Sequence, residues 1–184
     1  INAHKKMANE RFFLVEPPER CLSLYILIRH YQPDIVVETG VADGFSSVYN
    51  LTALSKNDNG NLYSIDLPHS TRDDNRKMGW IIPSNLRSRW DLRLGDSKDV
   101  LPQLLEKITP NIFFHDSLHT YDHMMFEFKH SYKYMDEGII SSHDIQLNSS
   151  FVDFAEEISR DYYSTRKFTP GEGSKNSPFG YIKL

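Results

Sequence analysis

The sequence predicts an α/β fold: a mostly parallel seven-stranded sheet with helices on both faces and a C-terminal antiparallel hairpin. Three observations predict it. Short apolar runs alternate with helically spaced apolar stripes, the pattern of strand–helix–strand crossovers in a parallel sheet. Each of the first five runs leads into an acidic residue: Glu38, Asp66, Asp96, Asp116 and Asp144. A glycine-bearing turn follows the first run.

The elements read in order. Cys21, Leu24, Tyr25 and Ile28 recur at helical spacing, so a helix precedes the first strand. Ile35-Val36-Val37 is a short β-branched run, as in a strand buried on both faces, and it leads to Glu38-Thr39-Gly40. A helix is expected from about Gly44 or Phe45 to Leu54, then a turn at Asn57-Asp58-Asn59-Gly60. Residues 61–66 form the second strand. A long polar connection runs from Leu67 to about Arg89, with a short helix inside it. Connections of this length in compact domains often serve as lids or binding loops.

The third strand is residues 91–94, and Val100, Leu101, Leu104, Leu105 and Ile108 mark the helix after it. Residues 111–114 form the fourth strand. The stripe Tyr121, Met124, Met125, Phe128, Tyr132 and Met135 is the next helix, read as core packing, with Gly138 as its C-cap. Residues 139–142 form the fifth strand. Ser150 and Asp153 resemble a capping box ahead of Phe151, Phe154, Ala155 and Ile158. The tail from Lys167 to Leu184 reads as two strands around a Gly/Pro-rich loop at residues 170–178. The whole reads as one domain over 1–184, an N-terminal helical segment (1–33) leading into a core (34–184).

The composition narrows the partners. The chain has 184 residues, 39% hydrophobic and 25% charged, with a formal net charge of −4. Nucleic-acid binding usually leaves a basic stripe, and here the cations are scattered. No apolar run reaches membrane-spanning length, and no signal peptide is visible. The one cysteine, Cys21, permits no internal disulfide. The expectation is a cytoplasmic protein with a small-molecule partner, no nucleic acid and no membrane. Self-association is left open.

In open α/β sheets the ligand crevice lies beyond the carboxyl ends of the strands. Acids after strands are common as turn formers and helix caps, which accounts for any one of the five. All five together with the glycine turn point to one site. In residues 38–44 a glycine after a buried strand lets the backbone bend and approach a ligand. The following helix start, with Ser46 and Ser47, offers free N–H groups and hydroxyls. A dinucleotide fingerprint needs G-x-G-x-x-G, but Ala42 takes the middle place. Asp66 at a strand tip suits a ribose diol.

These runs carry a resemblance. Residues 34–47 (DIVVETGVADGFSS) resemble motif I of the class I S-adenosylmethionine (SAM)-dependent methyltransferases. Residues 62–66 resemble the second motif of that family, and Leu94-Gly95-Asp96-Ser97 with Leu101-Pro102 the third. Residues 116–121 (DSLHTY) and 138–144 (GIISSHD) are similar to a subgroup that includes sugar and antibiotic O-methyltransferases and cephalosporin-type methyltransferases. The resemblance spans about residues 20–150 and implies a Rossmann-like fold. It implies that Glu38, Gly40 and Gly44 hold the methionine part of SAM, with Asp43, Ser46 and Ser47 at the same turn. Asp66 would bind the ribose, Asp96 and Ser97 the adenine, and Asp116 would sit near the sulfonium.

The implied reaction is O-methylation of a small-molecule or sugar-like hydroxyl acceptor. A hydroxyl is a weak nucleophile at neutral pH and needs a base or a metal. His119 and His143, with Asp144, are the expected catalytic groups. His115 should point away from Asp116 and be structural. Asp116, His143 and Asp144 are the expected ligands of a divalent metal. An imidazole in that set suits Mn²⁺, Fe²⁺ or Zn²⁺ better than Mg²⁺. Trp80, Tyr121, Tyr162 and Tyr163 are candidates for an acceptor pocket. The competing readings are an NAD(P)-dependent oxidoreductase on a similar sheet, and a ligand-binding domain without catalysis.

Overall fold

A computed structural model describes residues 19–68, 77–173 and 177–184. Helix α1 (Glu19–Tyr31) leads into β1 (Ile35–Thr39), α2 (Phe45–Asn57) and β2 (Asn61–Asp66). A 3-10 helix (Ser84–Arg89) precedes β3 (Trp90–Leu94) and α3 (Ser97–Leu105). Then come β4 (Ile112–His115), α4 (Tyr121–Lys133), β5 (Ile139–Ser142), α5 (Ser150–Glu157), β6 (Tyr162–Ser164) and β7 (Gly180–Lys183). The seven strands form one sheet in the order β3-β2-β1-β4-β5-β7-β6. Strands β1 to β5 pair in parallel, and β7 pairs antiparallel with β5 and β6.

The pleat sorts the core. Successive strand residues point to opposite faces. Val36, Leu62, Ile112 and Ile139 pack with α1 and α2. Val37, Phe113, Ile140 and Ile182 pack with α3, α4 and α5. The same alternation sends Glu38 toward α2 and sends Thr39 and His115 toward α4. Strand order reverses between β1 and β4, so a crevice opens at their carboxyl ends.

Local details differ from the sequence reading in three places. Helix α4 ends at Lys133, so Gly138 does not cap it. Gly138 instead holds φ +130° where a Cβ would sit 2.3 Å from the Asn111 carbonyl oxygen. The start of α5 is not a capping box. Asn148 Oδ1 accepts the Ser150 N–H at 2.9 Å, while the Ser149 hydroxyl donates to Asp153 Oδ2 at 2.8 Å. The closing hairpin starts earlier than residue 167, at Tyr162. Strand β6 is exposed and carries no apolar run, which is why its periodicity gave no signal.

In the long connection, residues 69–76 lie outside the described residues. Met78, Ile81 and Ile82 are buried, and the latter two pack with α1 and α2. The N-terminal segment expected over 1–33 is helical from Glu19. Residues 1–18 also lie outside the described residues.

Candidate active site

A cavity of about 560 Å³ opens at the carboxyl ends of β1 to β4. Its lining includes Gly40, Asp43, Ser46, Asp66, Asp96, Ser97 and Asp116, all expected from the sequence. Gly40 holds φ +86°, and a Cβ there would sit 2.1 Å from the Asp116 carbonyl oxygen. The two strand ends therefore approach as closely as only glycine permits. Asp66 Oδ2 accepts the N–H groups of Val41 at 2.7 Å and Ala42 at 2.8 Å, so it shapes the glycine turn as well as facing the cavity. Asp96 caps α3 by accepting the Lys98 N–H at 2.9 Å. Strand-tip acids thus serve both as structural acceptors and as cavity walls.

Three expected cofactor residues stand apart from this lining. Glu38 is fully buried beneath α2, its carboxylate filled by Ser46, Ser47, Asn50 and Ser64. The pleat directs it sideways under the helix and not out of the sheet's end. Burial raises its pKa to about 7, against the lowering effect of the Ser47 and Ser64 hydrogen bonds. Ser47 is likewise buried and serves Glu38. Gly44, at φ +95°, makes room for Gly79 Cα and Ile82 Cγ1, which a Cβ would approach to 2.8 and 2.9 Å. Glu38, Gly44 and Ser47, expected as cofactor contacts, thus lie behind the turn and outside the cavity lining. They support the turn whose other residues line the cavity.

The expected catalytic groups meet beside Asp116. His143 Nδ1 lies 3.1 Å from Asp116 Oδ1 and 3.3 Å from Asp144 Oδ2. His119 Nε2 is 3.9 Å from Asp116 Oδ1 and has no hydrogen-bond partner among the described residues. Burial, and then the neighbouring His115, hold the His119 imidazole below its ordinary pKa. Burial would raise Asp144, but the charge of His143, the Ser177 hydrogen bond, the charge of His119 and the Gln146 hydrogen bond together outweigh it and leave Asp144 below the usual carboxylate value. Asp116, His119 and His143 can each offer one ligand atom within 4.8 Å of the others. This grouping shares Asp116 and His143 with the ligand set expected from sequence and adds His119, while the expected Asp144 stays beside His143.

His115 is buried and donates from Nδ1 to Glu127 Oε2 at 2.6 Å, away from Asp116. The aromatic candidates do not line the cavity. The Trp80 indole N–H donates to Asp43 Oδ1 at 2.7 Å, and Tyr163 stacks on Tyr181 with centroids 5.0 Å apart. Tyr162 packs edge-on to Phe151, and Tyr121 is exposed.

The site also holds residues that the sequence did not single out. Arg20, Ser117 and His123 line the cavity, and Glu127 lies buried beneath it. Arg20 Nε is 3.4 Å from Asp116 Oδ2. An acid within the apolar stripe of α4, four residues after a histidine, was the signal available for Glu127.

A model of the methyltransferase domain family matches residues 37–145, well over half of the chain. The chain belongs to the methyltransferase domain family. No curated protein sequence matches it. Solved structures resemble it across its full length. An O-methyltransferase from Bacillus cereus, in complex with S-adenosylhomocysteine (SAH), superposes at TM-score 0.72 and 16% identity, covering 100% of this chain and 89% of its own. The O-methyltransferase TomG of tomaymycin synthesis from Streptomyces achromogenes, in complex with SAM, gives 0.73 and 18%, covering 100% and 90%. A putative caffeoyl-CoA O-methyltransferase from Staphylococcus aureus gives 0.66 and 13%, covering 100% and 91%. These likenesses establish that this methyltransferase has the Rossmann-like methyltransferase fold. Among the described residues, no helix is long and apolar enough to cross a membrane.

Proposed function

We propose that this methyltransferase uses SAM to O-methylate a small-molecule or sugar-like hydroxyl acceptor, with residues 1–184 acting as one domain. The observation that carries the reading is the shared cavity of Gly40, Asp66, Asp96 and Asp116 at the strand tips of a methyltransferase-family chain. Asp66 would take the ribose hydroxyls, Asp96 and Ser97 the adenine, and Gly40, Asp43 and Ser46 the methionine end. When bound, SAM supplies an electrophilic methyl group on a sulfonium. The carboxylate of Asp116 offers negative charge to that cation.

The acceptor hydroxyl must lose its proton as its oxygen attacks. His143 is the proposed base. Its Nδ1 faces two carboxylates, which only accept, so Nδ1 carries a proton and Nε2 keeps the free lone pair. Asp144, held ionised, stabilises the imidazolium that results. His119, below its ordinary pKa and neutral at neutral pH, is the second candidate base. A metal is the alternative to the His143 base, favoured by one observation: among the described residues, His119 Nε2 is buried without a hydrogen-bond partner beside Asp116 and His143. Two imidazoles and a carboxylate suit Mn²⁺, Fe²⁺ or Zn²⁺, and such an ion held there would lower the hydroxyl's pKa. A cytoplasmic setting belongs to the same reading, in keeping with the single, free Cys21.

Calorimetric titration with SAH and, separately, with NAD tests the cofactor assignment. SAH binding without NAD binding is expected. NAD binding in the absence of SAH binding would return the protein to the oxidoreductase reading.

A further inference from the structure

Below the cavity floor, one buried carboxylate gathers donors from four parts of the chain. Glu127 on α4 is fully buried. Its Oε2 accepts the Thr39 hydroxyl from the end of β1 and the His115 Nδ1–H from the end of β4, both at 2.6 Å. Its Oε1 accepts the Ser117 hydroxyl from the loop after β4 and the His123 Nε2–H one helical turn back, both at 2.9 Å. Ser97 Oγ, at the start of α3, lies 2.9 Å from the same His123 nitrogen. Ser97, Ser117 and His123 all line the cavity.

This arrangement is not packing alone. The buried neighbours of Glu127 on α4 include Met124, Met125 and Phe128, so an apolar residue would suit the stripe. An isolated charge there would be costly, and only a complete set of donors makes it tolerable. The set is complete, with each oxygen taking two donors. Burial by itself would raise the Glu127 pKa. The electrostatic pull of His115 and the hydrogen bonds Glu127 accepts, those from His115 and His123 foremost, outweigh burial and hold it well below the usual carboxylate range. An ionised carboxylate only accepts, so it fixes His115 and His123 in single tautomers and orients the Ser117 hydroxyl.

We propose that Glu127 is the positioning residue of the cofactor cavity, holding Ser97, Ser117 and His123 in place along its wall while tying the ends of β1 and β4 beneath them. The proposal rests on the SAM reading of the cavity. Glu127 touches no ligand. It acts through residues that do, because a cavity wall built from side chains works only when their rotamers are held.

The test compares SAH titrations of the wild type and Glu127→Gln by calorimetry, at a temperature where circular dichroism finds both folded. The substitution keeps shape but turns one oxygen into an amide donor facing two donors. SAH affinity should fall roughly tenfold or more, as small misplacements of binding groups do. A folded Glu127→Gln protein that binds SAH as the wild type does overturns the proposal. A wild type that fails to bind SAH overturns the cofactor reading itself, a separate failure. A second measurement needs no variant. In ¹⁵N-histidine-labelled wild type, the imidazole signals of His115 and His123 should shift as SAH saturates the cavity. A purely structural network would not respond, so unmoved signals also overturn the proposal.

Discussion

His143 Nδ1 lies 3.1 Å from Asp116 Oδ1, joining the tips of β5 and β4 beside the cavity. Asp144 Oδ2 approaches the same nitrogen at 3.3 Å. The pair fixes which imidazole nitrogen is free, and the proposed mechanism uses that nitrogen as the base. His143→Ala should lower turnover by about 100-fold or more while leaving SAH affinity little changed. Turnover is read as SAH formation with a panel of hydroxyl acceptors, and affinity by calorimetry. Unchanged turnover would remove His143 from the mechanism.

The second prediction concerns the metal. Asp116, His119 and His143 can converge their ligand atoms within 4.8 Å. Titration with Co²⁺ should give visible absorption bands in the wild type, and His119→Ala should abolish them, since two ligands hold an ion far less well than three. Bands of equal strength in the variant would exclude His119 as a ligand.

Glu38 makes stability depend on pH. Its pKa is about 7 in the folded protein, against an ordinary value of 4.5. The folded state therefore binds this proton more tightly than the unfolded chain does. The stability this contributes is complete below pH 4.5 and is lost as pH rises through about 7. Glu38→Gln is neutral throughout, so it should gain on the wild type across that window, by about 3 kcal/mol at most. Thermal melts of both proteins at intervals across the window measure it. A pH-independent difference would contradict the burial effect.

Gly40 and Gly171 separate backbone strain from close approach. Both hold positive φ, +86° and +85°. A Cβ on Gly40 would overlap the Asp116 carbonyl, while one on Gly171 meets nothing within 4 Å among the described residues. Gly171→Ala should cost about 1 kcal/mol for the left-handed conformation alone. Gly40→Ala should cost several times more, because the ends of β1 and β4 must part. Urea unfolding of the two variants gives the comparison, and equal losses would refute the close approach.

The order of strands and helices, the glycine bend after β1 and the acids at successive strand tips were legible in the residues alone. These follow from local rules: apolar periodicity, the conformational freedom of Gly40, and the chain position of Asp66, Asp96 and Asp116 just beyond buried runs. Which of those acids line the cavity depended on the folded arrangement. Glu38 and Thr39 are adjacent, yet the pleat sends one beneath α2 and the other to Glu127, 88 residues away. Arg20 reaches Asp116 from a helix whose sequence announces only an apolar face. Side-chain direction and long-range pairing arise when strands are set side by side and helices laid over them. That assembly drew Glu38, Gly44 and Ser47 into support of the site and put Arg20, Ser117 and His123 on the cavity wall, with Glu127 beneath it.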